Sequence, residues 1–157
     1  MTVFKGTNHV IGIDPGKSGG IARVIQINDE ELIWTAHKCP ENIKEMDNLV
    51  KIFKKFLIKP KVFIESVHAF PTDGRSSAFK FGMNYGIWQG IIAANNLELE
   101  FVTPQKWQKH FGKLPKDKKE RKNILKKLAT DKTNIKATLS TADAILIAVY
   151  GYEYEGN

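Results

Sequence analysis

The chain has 157 residues, 42% of them hydrophobic and 26% charged, with a formal net charge of +7. This suits one soluble domain able to bury ~68–70% of its unfolded surface, and it excludes a disordered polyelectrolyte. The single cysteine, Cys39, excludes an internal disulfide and a cysteine-built zinc site, while the basic balance makes a polyanion the first partner to consider.

The opening "MTVFKGTNHV" lacks the apolar core of a signal peptide. Residues 10–14 read as a buried strand that ends on Asp14 and meets a Pro-Gly turn. Gly19-Gly20 turns the chain into a second strand, 21–27, in which Arg23 interrupts apolar neighbours. Asn28-Asp29 marks another turn before a third strand, 31–37. Short turns between three strands make an antiparallel meander. Ile43, Met46, Val50, Phe53 and Leu57 then recur at helical spacing until Lys59-Pro60.

"KVFIES" is a short strand that stops at Glu65, and "HAFPTDGRSS" is a loop rich in turn residues. A long helix is expected over 77–95, and a fifth strand over 97–102. The uncharged run 81–97 carries Asn, Gln and three Gly, and it falls short of the ~20 apolar residues that span a bilayer. Thr103-Pro104 is a helix start, with Thr as cap and Pro in the first position. A charged helix is expected over 116–129 and an apolar one over 141–150, stopped by Gly151. Residues 1–152 thus read as a single domain and 153–157 as a short flexible tail. The order βββαβαβααα gives a five-stranded mixed sheet with helices on both faces, the layout of the ribonuclease H-like fold.

Charge is unevenly spread. Residues 106–136 hold twelve of the 24 Lys and Arg against three acids, so this segment is strongly basic while the remainder is slightly acidic. A localised basic surface suits phosphate binding, and the alternative is a solvated helix face around Ile124, Leu125 and Leu128.

Three acids interrupt apolar patterns: Asp14 after the first strand, Glu65 after the fourth, and Asp143 in the first turn of the last helix. Each has a plain structural reading. Asp14 can close its own turn, Glu65 can be the first exposed residue past a strand, and Asp143 can pair with Ser140 as a helix cap. In this fold, however, all three converge at one end of the sheet. Clustered carboxylates stay ionised only with a cation between them, and oxygen ligands without His or Cys suit Mg²⁺, with Mn²⁺ able to substitute. Two such ions can hydrolyse a phosphodiester.

The stretches "IGIDPGKSGGIA", "VFIESVHAF", "FKFGMNYGIWQGIIAA", "TPQKWQKHFG" and "STADAILIA" resemble, in order, the motifs of the RuvC family of Holliday junction resolvases, across about residues 9–150. The resemblance implies a crossover junction endodeoxyribonuclease with Asp14, Glu65 and Asp143 as catalytic metal ligands. It also implies a homodimer that makes paired nicks with 5′-phosphate ends in four-way junctions. The family usually has an acid or a His one turn before the last Asp, where this chain has Ser140. A broader fork and flap nuclease, or a catalytically weak branched-DNA-binding protein, are the competing readings. Lys17, Arg75, Lys106, Lys109, Lys116, Lys118, Lys119, Arg121 and Lys122 are the candidate phosphate contacts, with Phe70 as a base-stacking residue. Gly82, Gly86 and Gly90 leave one helix face without side chains, either for packing on the chain's own sheet or for a dimer seam. The expected setting is cytoplasmic and DNA-associated, away from membranes.

Overall fold

The structure is a computed structural model that describes residues 9–155. Five strands, β1 (His9–Asp14), β2 (Gly20–Gln26), β3 (Leu32–Lys38), β4 (Lys61–Glu65) and β5 (Glu98–Val102), form one sheet in the order β3-β2-β1-β4-β5. The β3-β2-β1 half is antiparallel, and β1-β4-β5 is parallel. The meander needs only short turns. The parallel half requires crossovers, supplied by α1 (Ile43–Lys54) and α2 (Arg75–Ala94). After β5 come α3 (Pro104–His110), α4 (Lys118–Thr133) and α5 (Ala142–Glu155). This is the ribonuclease H-like arrangement expected from the element order.

Strand alternation sorts the side chains into two cores. Ile11, Ile13, Ile21, Val62 and Ile64 face α1 and α2, meeting Met46, Val50, Phe53, Trp88 and Ile92. Val10, Ala22, Val24 and Phe63 face the other way, against α5, with Leu125 and Ala129 of α4 and Trp107 of α3 completing that layer. The central strand β1 is buried on both faces, which is why its sequence reads as a continuous apolar run.

Helix α5 lies close on the sheet because glycines leave it room. A Cβ on Gly12 would collide with the Ala144 carbonyl oxygen and the Ala148 nitrogen, and one on Gly20 would stand 2.7 Å from the Ser140 carbonyl oxygen. These two positions set the height of the helix and hang its first turn over the end of β1.

Several boundaries differ from expectation. Helix α1 stops at Lys54 because Lys55 leaves helical geometry, and Leu57 is 98% exposed rather than part of the buried stripe. Helix α4 runs to Thr133 and ends where Asn134 turns left-handed (φ 57°). Helix α5 continues through Gly151 to Glu155, because that glycine admits the Phe63 ring rather than stopping the helix. The segment expected to be a tail therefore begins with contacts: Glu153 pairs with His110 and Lys132. Just before it, the Tyr152 hydroxyl donates to Gln26 Oε1 at 3.0 Å. Residues 156–157 lie outside the described residues.

Candidate active site

Ile13 pairs with Ile64 in the parallel register, so the next residues, Asp14 and Glu65, end adjacent strands. Neighbouring strands lie ~4.8 Å apart, and residues in register point to the same face. That face is the α5 side, shared with Gly12 and Phe63. Gly20 pairs with Asp14 across the antiparallel register and touches the Ser140–Thr141 backbone, which fixes the start of α5 beside Asp14. Asp143 follows two residues later. Three acids far apart in sequence thus meet at the carboxyl ends of β1 and β4, beneath the N-terminus of α5.

The plain structural readings of these acids do not account for them. The turn after Asp14 is closed by the Gly19 amide donating to the Gly16 carbonyl at 3.0 Å, not by the Asp14 side chain. Helix α5 is capped by a reciprocal pair: the Thr138 amide donates to Thr141 Oγ1 at 2.9 Å, and the Thr141 amide to Thr138 Oγ1 at 3.2 Å. The expected Ser140–Asp143 cap is therefore absent. The reason is that Ser140 carries its backbone against Gly20, leaving the threonines on either side to close the turn.

Electrostatics records the convergence. Burial, then the charges of Asp143 and Glu65, hold the Asp14 carboxyl well above the ordinary carboxylate range, and Lys122 pulls it part of the way back. Burial pushes Glu65 from the ordinary 4.5 to about 7, with the Trp107 hydrogen bond working against it and Asp143 adding to it. Burial also raises Asp143, opposed by Lys122 and Arg121. All three are half-buried, so each retains a path to solvent. Such mutual repulsion is the condition a divalent cation relieves, and the donor set, carboxylate oxygen alone, is that of Mg²⁺ or Mn²⁺. Among the described residues no three His, Cys, Asp or Glu side chains already close within ligating reach of one point. One reason is visible: Glu65 Oε2 is engaged by Trp107 Nε1 at 2.7 Å. The trio is electrostatically coupled and fits the ion by its chemistry.

Two supporting residues escaped the sequence reading. Trp107 is fully buried, and its indole N–H holds Glu65. A buried Trp needs a partner for that donor, which was the available signal. Asn84, one of two side-chain amides on the largely apolar α2, accepts from the Gly16 amide at 2.7 Å and donates to Cys39 Sγ at 3.4 Å. Gly16 has φ of 109°, a conformation glycine adopts without strain, and a Cβ there would stand 2.7 Å from the Phe81 ring. Helix α2 therefore grips the turn that carries Asp14.

The candidate DNA contacts separate into groups. Arg121 and Lys122, at the start of α4, are the two whose charge reaches the acids. Arg121 is anchored by donating to the Pro115 and Lys116 carbonyls at 3.2 and 3.0 Å. Lys116, just before α4, and Lys118 and Lys119 in its first turn are exposed. Lys106 and Lys109 are exposed on α3, where Lys106 lies over the Tyr154 ring. Lys17 is exposed in the turn after Asp14, and Arg75 opens α2. Phe70 is 67% exposed on a loop closed by the Phe70 amide donating to Asp73 Oδ2 at 2.8 Å. That bond commits Asp73 to loop closure.

A mixed sheet with this strand order and this placement of helices defines the ribonuclease H-like fold. The chain has the fold of the RuvC resolvases. Thermus thermophilus RuvC matches with a TM-score of 0.60 and 20% identity, over 90% of this chain and 92% of that one. The same protein in complex with a Holliday junction substrate gives 0.63 and 18% identity, over 94% of each. Fowlpox virus resolvase in complex with substrate Holliday junction DNA gives 0.50 and 15% identity, over 92% of this chain and 99% of that one. No family model and no curated protein sequence matches the chain.

Proposed function

We propose that the protein is a divalent-metal-dependent, structure-selective DNA endonuclease that resolves four-way junctions. The carrying observation is the burial and mutual repulsion of Asp14, Glu65 and Asp143 at one end of the sheet, faced by Arg121 and Lys122. Likeness in fold to resolvases solved with Holliday junction DNA adds support.

In this reading Asp14, Glu65 and Asp143 hold Mg²⁺ or Mn²⁺. A metal held there would supply Lewis-acid activation of water and charge neutralisation for phosphodiester hydrolysis, the chemistry that leaves 5′-phosphate nicks. Trp107 orients Glu65, and Asn84 holds the Asp14 turn. Lys122 and Arg121 offset the negative charge of the scissile phosphate, while Lys106, Lys109, Lys116, Lys118 and Lys119 track the backbone, with Lys17 and Arg75 on its flank. Phe70 stacks on a base at the branch.

Paired nicking needs two sites, and α2 offers the seam. A Cβ on Gly82, Gly86 or Gly90 would meet nothing within 4 Å, so the glycine face is not packed on the chain's own sheet. Phe79 and Met83 on the same side are exposed, at 69% and 51%. A second copy of this chain is the occupant we infer, giving a homodimer. No helix among the described residues is long and apolar enough to cross a membrane, in keeping with a DNA-associated, cytoplasmic setting.

The test is nicking of a four-way junction with Mg²⁺ or Mn²⁺ by the wild type and by Asp14→Asn. The variant should lose cleavage by on the order of 10³-fold or more, the scale expected when one member of a catalytic unit is removed. Junction binding should stay within about threefold, because the basic surface is intact. Cleavage by Asp14→Asn at the wild-type rate would remove Asp14 from the site. Tight binding without nicking by the wild type under either metal would favour the weakly catalytic DNA-binding reading, which the serine at position 140 motivates.

A further inference from the structure

The turn that follows Asp14 is held at both ends, and both holds lead to Cys39. This residue, just past β3, donates its backbone amide to the Gly19 carbonyl at 2.8 Å, and Gly19 donates in turn to the Gly16 carbonyl. Its side chain reaches the other end of the turn through Asn84, which donates from Nδ2 to Cys39 Sγ and accepts at Oδ1 from the Gly16 amide. Cys39 is 3% exposed and Gly16 is buried, so neither end readily exchanges its partner for water.

The polar groups are matched by their chemistry. The Gly16 N–H can only donate, so Asn84 must present its oxygen there, and its NH₂ is left needing an acceptor. Burial keeps the thiol protonated by raising its pKa above the ordinary value, with the Asn84 hydrogen bond working against the rise and the charge of Asp14 adding to it. The S–H donates to the Pro40 carbonyl at 3.5 Å, which leaves the sulfur lone pairs for Asn84. The Trp88 indole N–H, fully buried and without a hydrogen bond of its own among the described residues, acts on the same sulfur.

We propose that the Cys39 thiol is a positioning residue for the metal site: as a hydrogen-bond acceptor it fixes the orientation of the Asn84 amide, and so the Gly16 end of the turn from which Asp14 projects; this rests on the metal-site reading above. Without an acceptor at position 39, Asn84 keeps an unmet donor, and turning the amide over would set its NH₂ against the Gly16 N–H. Either outcome loosens the turn, and the Asp14 carboxylate is no longer offered to a cation at one angle. Metal ligands lose affinity when the group that orients them is removed.

The experiment compares Cys39→Ser with Cys39→Ala, two side chains of similar size of which only serine carries an acceptor. One readout is hydrogen exchange of the Gly16 amide in the metal-free protein, followed by NMR and normalised to the Ile11 and Ile13 amides of β1, which follow global stability. The other is Mn²⁺ affinity by calorimetry. Cys39→Ala should speed Gly16 exchange and weaken Mn²⁺ binding, each by ~10-fold, while Cys39→Ser should stay within about threefold of the wild type in both. In Asn84→Leu protein, adding Cys39→Ala should change Mn²⁺ affinity by less than about twofold, because the route to the turn is already cut. If circular dichroism shows Cys39→Ala to be unfolded, Cys39→Val, which fills the space without an acceptor, carries the same expectation. Ser and Ala variants that behave alike, or an effect of Cys39→Ala that persists in full beside Asn84→Leu, would reduce Cys39 to a packing residue and overturn the inference while leaving the metal site intact. Wild-type protein that binds no Mn²⁺ would instead remove the nuclease reading, and this inference with it.

Discussion

Two sets of glycines do opposite work in this molecule. Gly12 and Gly20 lie under α5, where a single added carbon would strike backbone atoms of the Ser140–Ala148 segment. Gly82, Gly86 and Gly90 lie on α2, where the same carbon would meet open space. The first set lets the chain close on itself and brings Asp143 to Asp14. The second leaves a bare helix face, which costs up to ~1 kcal/mol per glycine relative to Ala and is not repaid within this chain. Close approach inside one chain and a bare, open helix face can both be written in glycine, and the distances to neighbouring atoms tell them apart.

The contrast is broken most directly by the same substitution on each side. Gly12→Ala should destabilise the protein by ~3 kcal/mol or more, because backbone rather than a flexible side chain must move. Gly86→Ala should leave the fold unharmed or stabilise it by up to ~1 kcal/mol, yet weaken self-association measured by sedimentation. Equal melting temperatures for the two variants would refute the distinction.

Asn84 sharpens it, because α2 holds the Asp14 turn with the side opposite its bare face. Asn84→Leu should lower Mn²⁺ affinity by ~10-fold in calorimetry, the scale of losses from groups that orient metal ligands. Its melting temperature should change little. A variant with unaltered Mn²⁺ affinity would reduce Asn84 to a packing residue.

The acid site also predicts a dependence on pH. A carboxyl whose native pKa is raised keeps a proton that the unfolded chain has released. Stability therefore falls as pH rises from the ordinary 4.5 of Glu65 to about 7. For the metal-free protein the loss should be on the order of 2 kcal/mol across that window, with Asp14 acting in the same direction. Mn²⁺ should restore stability above pH 7 and do little near pH 5. Metal-free stability that increases over this window would contradict the repulsion described here.

The smallest expected effect is that of Ser140→Asp. If the missing acid limits turnover, cleavage should rise a few-fold at subsaturating Mg²⁺. No change would mean that three carboxylates suffice.

Much of this was legible in the sequence because periodicity and punctuation are local. The continuous apolar run of β1, the alternation of β2, the 3–4 spacing of Met46, Val50 and Phe53, and the Thr103-Pro104 start all appear where expected. Asp14, Glu65 and Asp143 stood out as charges ending apolar runs. What remained hidden depends on approach between distant segments. Gly151 looks like a helix stop until the Phe63 ring is seen against it. Asn84 is one amide in an apolar helix until Gly16 and Cys39 are placed beside it, and Trp107 is core filler until its N–H is found on Glu65. The threonine pair that caps α5 replaced the expected serine for the same reason: contact with Gly20 fixed the Ser140 backbone first.

The central claim, that Asp14, Glu65 and Asp143 serve a common metal site, is tested most directly by a crystal structure of the protein grown with Mn²⁺, read by anomalous scattering. The account predicts manganese peaks held by oxygens of all three side chains, with Glu65 still oriented by Trp107. Manganese bound elsewhere, or held by one of these carboxylates alone, would contradict it.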